Sequence, residues 1–138
     1  NAEFVRYGVM HRNTFLDSPR LLDEWFMLRG SDNVFFGGQM TGVEGYVESA
    51  ASGIIAGRAL ADRLSGKQPL TLPRTTMLGA LCSYISDPTV ENFQPMASSM
   101  GILPSLDRVI KGKQERYGAL AQRALSDLDK ALSDSEDT

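Results

Sequence analysis

The chain has 138 residues, the size of one ordinary domain. Its hydrophobic content of 42% is that of a folded globular protein and excludes a disordered one. Fourteen Lys and Arg against seventeen Asp and Glu leave a net charge of −3, which excludes a wholly basic nucleic-acid-binding module but not a local basic patch.

The first residues, Asn1-Ala2-Glu3-Phe4-Val5, carry no initiator Met and enter a strand-like run (4–10) almost at once. The expectation is a piece of a longer protein. No charged-then-apolar leader is visible and no apolar run approaches a membrane span, so a cytoplasmic protein with no membrane partner is expected. A single cysteine, Cys82, excludes an internal disulfide and suits a reducing compartment. His11-Arg12-Asn13-Thr14 form a polar loop after the first run. His11 is the one histidine, so no metal site can be built around it. A packed or surface histidine is the plain reading. With Arg12 and Asn13 it could also line a pocket for anions.

Ser18-Pro19 is a turn signal. Trp25–Leu28 and Asn33–Phe36 flank Arg29-Gly30-Ser31-Asp32, the pattern of a β-hairpin. Val34, Phe35 and Phe36 read as a buried strand that runs into a glycine turn carrying Gly37, Gly38, Gly42 and Gly45. A helix of small residues is expected from Tyr46 to Leu64, stopped by Gly66-Lys67-Gln68-Pro69. Glycine lets a ligand approach the main chain. The start of the following helix offers unpaired N–H groups and a partial positive charge. Two readings stand here: a ligand-binding corner, or a strand-to-helix loop of any α/β domain. Gln39 could donate to and accept from a ligand. Glu44 and Glu48 could complement the helix dipole, or bond a ligand or a neighbouring loop.

Leu70–Pro73 reads as extended, and Arg74 as a surface cation or a phosphate contact. Thr75 or Thr76 can cap a helix to about Ile85, ended by Asp87-Pro88. Cys82 lies on that helix's apolar face with Leu78, Leu81 and Ile85, the place of a buried inert thiol. The stretch 90–101 is irregular. A last helix is expected from Gln114 to Leu132, with an apolar stripe at Tyr117, Leu120, Ala121, Ala124, Leu125, Leu128 and Leu132. Lys111, Lys113 and Arg116 at its start could grip a nucleic-acid backbone, although charge runs are usually solvated faces. The divisions expected are 1–68, 69–132 and a frayed acidic tail at 133–138. No Ser-His-Asp or Cys-His set, Walker loop or GxGxxG strand-turn-helix can be found.

The motif GGQMTGVEGYVESAASGIIAG resembles the closing FAD-binding motif of the folate- and FAD-dependent tRNA (uracil-5-)-methyltransferases, the TrmFO family. So do YGVMHRNTFLDSPRLLD, LPRTTMLGALCSYI, the Phe93-Gln94-Pro95-Met96 box and IKGKQERYGALAQRAL, in the same order. The related GidA/MnmG flavoproteins resemble the glycine motif but the other boxes poorly. The resemblance implies an α/β (α+β) fragment: the C-terminal part of a glutathione-reductase-type FAD-binding domain, then a helical segment. It implies FAD as cofactor, methylenetetrahydrofolate and NAD(P)H as co-substrates, and tRNA as the partner in which ribothymidine is made. The family's nucleophilic cysteine lies upstream, so no catalytic residue is expected in this chain, which would be inactive alone. Gly38, Gln39, Gly42, Val43, Gly45 and Tyr46 match the family's FAD contacts. His11, Arg12 and Asn13 match a box lining the active site. Arg74, Lys111, Lys113 and Arg116 fit positions suited to tRNA phosphates. The family more often carries Asn-rich residues where this chain has Ala97-Ser98-Ser99-Met100. Competing expectations are a stand-alone RNA-binding module and another FAD-dependent oxidoreductase of the same superfamily.

Overall fold

The computed structural model describes residues 14–136. The strand-like run at 4–10 and the box His11-Arg12-Asn13 lie outside the described residues. Four helices are arranged in chain order: α1 (Ser18–Leu21), α2 (Tyr46–Leu64), α3 (Met77–Ser86) and α4 (Lys113–Glu136). Short 3-10 turns sit at Gly38–Thr41 and Met100–Ile102.

The strand expectation is corrected in extent, while the hairpin is present as a minimal antiparallel pairing: Leu28 N–H donates to the Val34 carbonyl and Phe36 N–H to the Phe26 carbonyl, both at 2.9 Å. Among the described residues pairing is limited to isolated bridges: Leu22 with Leu28 and Met27 with Phe35, antiparallel, and Val43 with Met96, parallel. The chain does double back at Gly30, whose φ is +79°, with Ser31 N–H donating to the Leu28 carbonyl at 3.0 Å. The ribbon stops there because its first arm turns again. The Asp23 carboxylate accepts from the N–H groups of Trp25 and Met27, both at 3.0 Å. Phe26 is thereby held at φ +65°. Among the described residues no third strand lies beside this two-stranded ribbon, and a ribbon of two strands alone is marginal. The described fold is helix-rich, and Val34 stays exposed rather than buried.

α3 is set by its cap. Thr76 Oγ1 accepts from the Gly79 N–H at 3.0 Å and donates to the Pro73 carbonyl at 2.8 Å. From its buried face Leu81, Cys82 and Ile85 meet Phe26, Val43, Ala56 and Phe93 to make the core. Extended residues 70–73 are held from outside, since Trp25 Nε1 donates to the Leu70 carbonyl at 3.1 Å and Thr71 Oγ1 to Glu24 at 2.8 Å.

α4 docks through side chains. Leu120 is buried, Thr75 Oγ1 donates to Asp127 at 2.5 Å, and Arg123 reaches the carbonyls of Pro104 and Ser105. The helix runs on to Glu136, past the point where a frayed tail was expected. The Ser133 and Ser135 hydroxyls bond back to the carbonyls of Asp129 and Leu132, so both are satisfied within the last turns.

Candidate functional site at the glycine turn

The glycine turn is tied down from both sides. Gly38 takes φ +72° and its N–H donates to Ser52 Oγ at 2.7 Å. The Ser52 hydroxyl, on the inner face of α2, in turn donates a hydrogen bond to the Ser49 carbonyl at 2.7 Å. On the other side Leu16 N–H donates to the Met40 carbonyl, and the fully buried Ser18 hydroxyl to the Thr41 carbonyl, both at 2.8 Å. Thr41 Oγ1 closes the turn on the Gly38 carbonyl at 2.8 Å. Backbone fixed this way presents its outward groups at set positions.

Below the turn lies the Phe93–Met96 box. Met96 N–H donates to the Gly42 carbonyl at 2.9 Å, and Glu44 N–H to the Met96 carbonyl at 3.0 Å. The Phe93 ring packs under Gly42, edge-on to Phe15 at 6.0 Å and tilted against Tyr84 at 5.5 Å. Tyr84 donates to the Gln94 carbonyl at 3.0 Å. Two motifs distant in sequence thus form one structure.

Gly45, at φ +94°, opens α2 with no side-chain cap of its own. Glu48 folds back instead. Its carboxylate accepts from Ser98 Oγ at 2.6 Å and Ser98 N–H at 3.3 Å. The Ser98 hydroxyl, together with the group's own backbone N–H, holds this carboxyl below the usual range. The φ of +94° is what favours glycine at position 45; a Cβ there would also meet the Glu48 carboxyl carbon at 2.9 Å and push that side chain aside. Glu48 occupies the inner side of the helix start, while Gly45, Tyr46 and Val47 remain open outside.

The six residues matched to a flavin contact are therefore brought together but presented differently. Gln39, Gly45 and Tyr46 are exposed, and Gly38 is half-buried. Gly42 and Val43 are buried, with the Val43 side chain in the core, so these two can offer a ligand only backbone. The motif reading had not identified Ser18, Ser52 and Ser98 as anchors. The only signal was a lone hydroxyl on an otherwise apolar inner face, as at Ser52.

The cations do not form one patch. Lys113 Nζ and Arg116 Cζ each lie 5.6 Å from the Tyr117 ring centroid at the start of α4. Lys111 lies beside them with Arg108 around a shallow cavity. Arg74 adjoins Thr75, which bonds Asp127, fourteen positions beyond Lys113 and roughly 20 Å along the helix. Cys82 is buried, and burial, then the Glu24 carboxylate, pushes its thiol up to about 12. It is no nucleophile.

The family model for glucose inhibited division protein A matches residues 1–68. Over 134 residues, 96% of the chain, it is 55% identical to the methylenetetrahydrofolate–tRNA-(uracil-5-)-methyltransferase TrmFO of Streptococcus agalactiae. Over 130 residues it is 56% identical to the TrmFO of Staphylococcus epidermidis, and 53% to that of Staphylococcus carnosus. This chain belongs to the TrmFO family. It spans about 30% of the length of these relatives. The TrmFO relationship covers the glycine turn, the Phe93–Met96 box and α4 together, the parts that the fold joins.

Proposed function

We propose that this chain is the C-terminal part of a flavin-dependent tRNA methyltransferase. The parent protein forms ribothymidine from uridine in the T loop, with methylenetetrahydrofolate and NAD(P)H as co-substrates. The observation that carries the reading is identity above one half along nearly the whole chain to proteins named for that activity. The chain supplies the closing part of a glutathione-reductase-type FAD-binding domain, and the upstream part supplies the first nucleotide-binding strand and the nucleophilic cysteine.

The residues present fit part of an FAD site. Gly45 leaves the start of α2 uncapped by its own side chain, and Gly38, at φ +72°, opens a pinned 3-10 turn beside it. When bound, FAD would supply the redox and one-carbon carrier chemistry. The chain's own part is to bind and orient. Exposed amides at Gly45, Tyr46 and Val47 favour an anionic edge, and Gln39 can donate and accept beside it. His11, Arg12 and Asn13 belong to the same active-site lining in this reading.

Arg74, Lys111, Lys113 and Arg116 are the tRNA contacts in this reading. Its support is electrostatic: Arg108, Lys111, Lys113 and Arg116 cluster at the start of α4, the end whose dipole disfavours cations. An anionic partner removes that conflict. Arg123 takes no part, because its guanidinium is spent on the carbonyls of Pro104 and Ser105.

The test is the full-length parent protein with unmodified tRNA, methylenetetrahydrofolate, FAD and NADPH. Ribothymidine in the T loop is the expected product, and its absence overturns the reading. Salt-sensitive tRNA binding by this chain without flavin, in a parent that never binds flavin, would favour the RNA-binding module instead.

A further inference from the structure

α2 carries two apolar faces. The inner one, with Ser52, Ala56 and Ala59 buried, packs on the core. The opposite face carries Val47, Ala50, Ile54, Gly57, Ala61 and Leu64, all exposed, at alternating steps of three and four along the helix. Val47 is 79% exposed, Ile54 72% and Leu64 80%. No charged residue interrupts that stripe. A helix apolar on both sides is normally buried on both sides. Among the described residues nothing lies within 4 Å of a Cβ placed on Gly57, so these residues leave the middle of the stripe flat and uncovered. Beside it Ile54 borders an apolar groove of about 280 Å³ whose other walls include Leu70, Leu72, Leu78, Leu128 and Leu132.

We propose that this outer face of α2, with the groove beside it, is the surface on which polypeptide of the same longer protein docks. The inference rests on the family relationship and not on flavin chemistry. The relatives are some three times longer than this chain, so most of the parent polypeptide lies outside it. The surface chemistry fits a permanent rather than a transient occupant. Its α2 stripe carries no charge, Arg58 being the one charged wall of the groove, and it has glycine and alanine at its centre for close backbone approach and a groove for one large apolar side chain. Contacts of that composition resemble a domain core cut in two.

Hydroxyl-radical footprinting of the full-length parent protein and of this chain, side by side, tests the proposal. Val47, Ile54 and Leu64 should be labelled several-fold more slowly in the parent, at a rate independent of protein concentration. Equal labelling overturns the proposal. Protection that disappears on dilution overturns it too, since the occupant is then a second copy. Gly57→Leu supplies an independent reading. In this chain alone it should raise the unfolding midpoint by a few degrees, because leucine is the better helix former and meets no neighbour. In the parent the same change should lower the midpoint, because the docked element loses its close approach. A shift of the same sign in both proteins overturns the assignment. Neither measurement depends on flavin or on methyl transfer, so failure here is distinguishable from failure of the enzymatic reading.

Discussion

The ring of Phe93 lies directly beneath the α-carbon of Gly42. Gly42 has φ +85°, and a Cβ there would overlap the ring, reaching within 2.7 Å of Cε1. The contact joins the glycine turn to the Phe93–Met96 box and so fixes the floor of the proposed flavin site. Gly42→Ala should cost about 2–4 kcal/mol, from an unfavourable backbone conformation and an overlap that only a shifted ring relieves. Phe93→Ala should cost about 3–5 kcal/mol as a cavity. Because the second change removes the first one's clash, the double variant should cost clearly less than the two together. Denaturant unfolding of all three variants measures this. Simple additivity would mean that Gly42 is needed only for its backbone angle.

Gly79 shows the opposite of ordinary helix behaviour. Glycine to alanine inside a helix normally stabilises by roughly 0.5–1 kcal/mol. At Gly79 a Cβ would drive into the backbone of Leu72 and Pro73, with the Leu72 carbonyl oxygen at 2.8 Å. Backbone cannot rotate away as a side chain can. Gly79→Ala should therefore destabilise by more than about 2 kcal/mol, while Gly118→Ala, in α4 with nothing within 4 Å, should follow the ordinary rule. Thermal unfolding midpoints moving in the same direction for both would contradict the packing of α3 on residues 70–73.

These positions also show what could be read in the sequence and why. The limits of α2, the Thr76 cap and the apolar stripe of α4 follow from local rules, capping chemistry and helical period. The glycines marked a turn for the same local reason. The pairing of Gly42 with Phe93, and of Glu48 with Ser98, is decided by chain reversal in three dimensions, and no local spacing encodes it. The expected strand, which forms only as an isolated bridge, has a different cause. Val34–Phe36 has strand composition, but a strand needs neighbours, and the described residues supply one partner broken by the Asp23 turn. Arg74 and the Lys111–Arg116 cations are each expected to suit tRNA phosphates, and sequence order cannot reveal that a length of α4 lies between Lys113 and the Asp127 that bonds Thr75 beside Arg74.

Glu48 should make the turn region pH-sensitive. Its carboxyl is held below the usual range in the folded chain, chiefly by the Ser98 hydroxyl. A group depressed on folding stabilises once pH exceeds its unfolded value, and that contribution is lost as pH falls through the folded value. The Glu48–Ser98 link should thus be intact at neutral pH and fail only in acid, below the ordinary carboxylate range. Ser98→Ala should move the Glu48 titration, followed by NMR on the side-chain carboxyl, back up toward that range. An unchanged titration in Ser98→Ala would show that the helix start, and not the loop, holds the charge.

The basic end of α4 should bind RNA in a manner that salt exposes. If Lys113 and Arg116 each contact a phosphate, Lys113→Gln and Arg116→Gln in the full-length protein should each lower the salt slope of tRNA affinity by about 0.7–0.9. Arg116→Lys should keep most of the slope, since phosphate attraction needs charge more than fork geometry. Arg74 adjoins Thr75, whose partner Asp127 lies roughly 20 Å along α4 from Lys113. The effect of Arg74→Gln should therefore add to that of Lys113→Gln without coupling, as distant sites do. Filter binding of tRNA between low and moderate salt separates the cases. A slope unchanged by Lys113→Gln and Arg116→Gln would assign these cations to a solvated helix end, leaving the tRNA contacts to other parts of the parent protein.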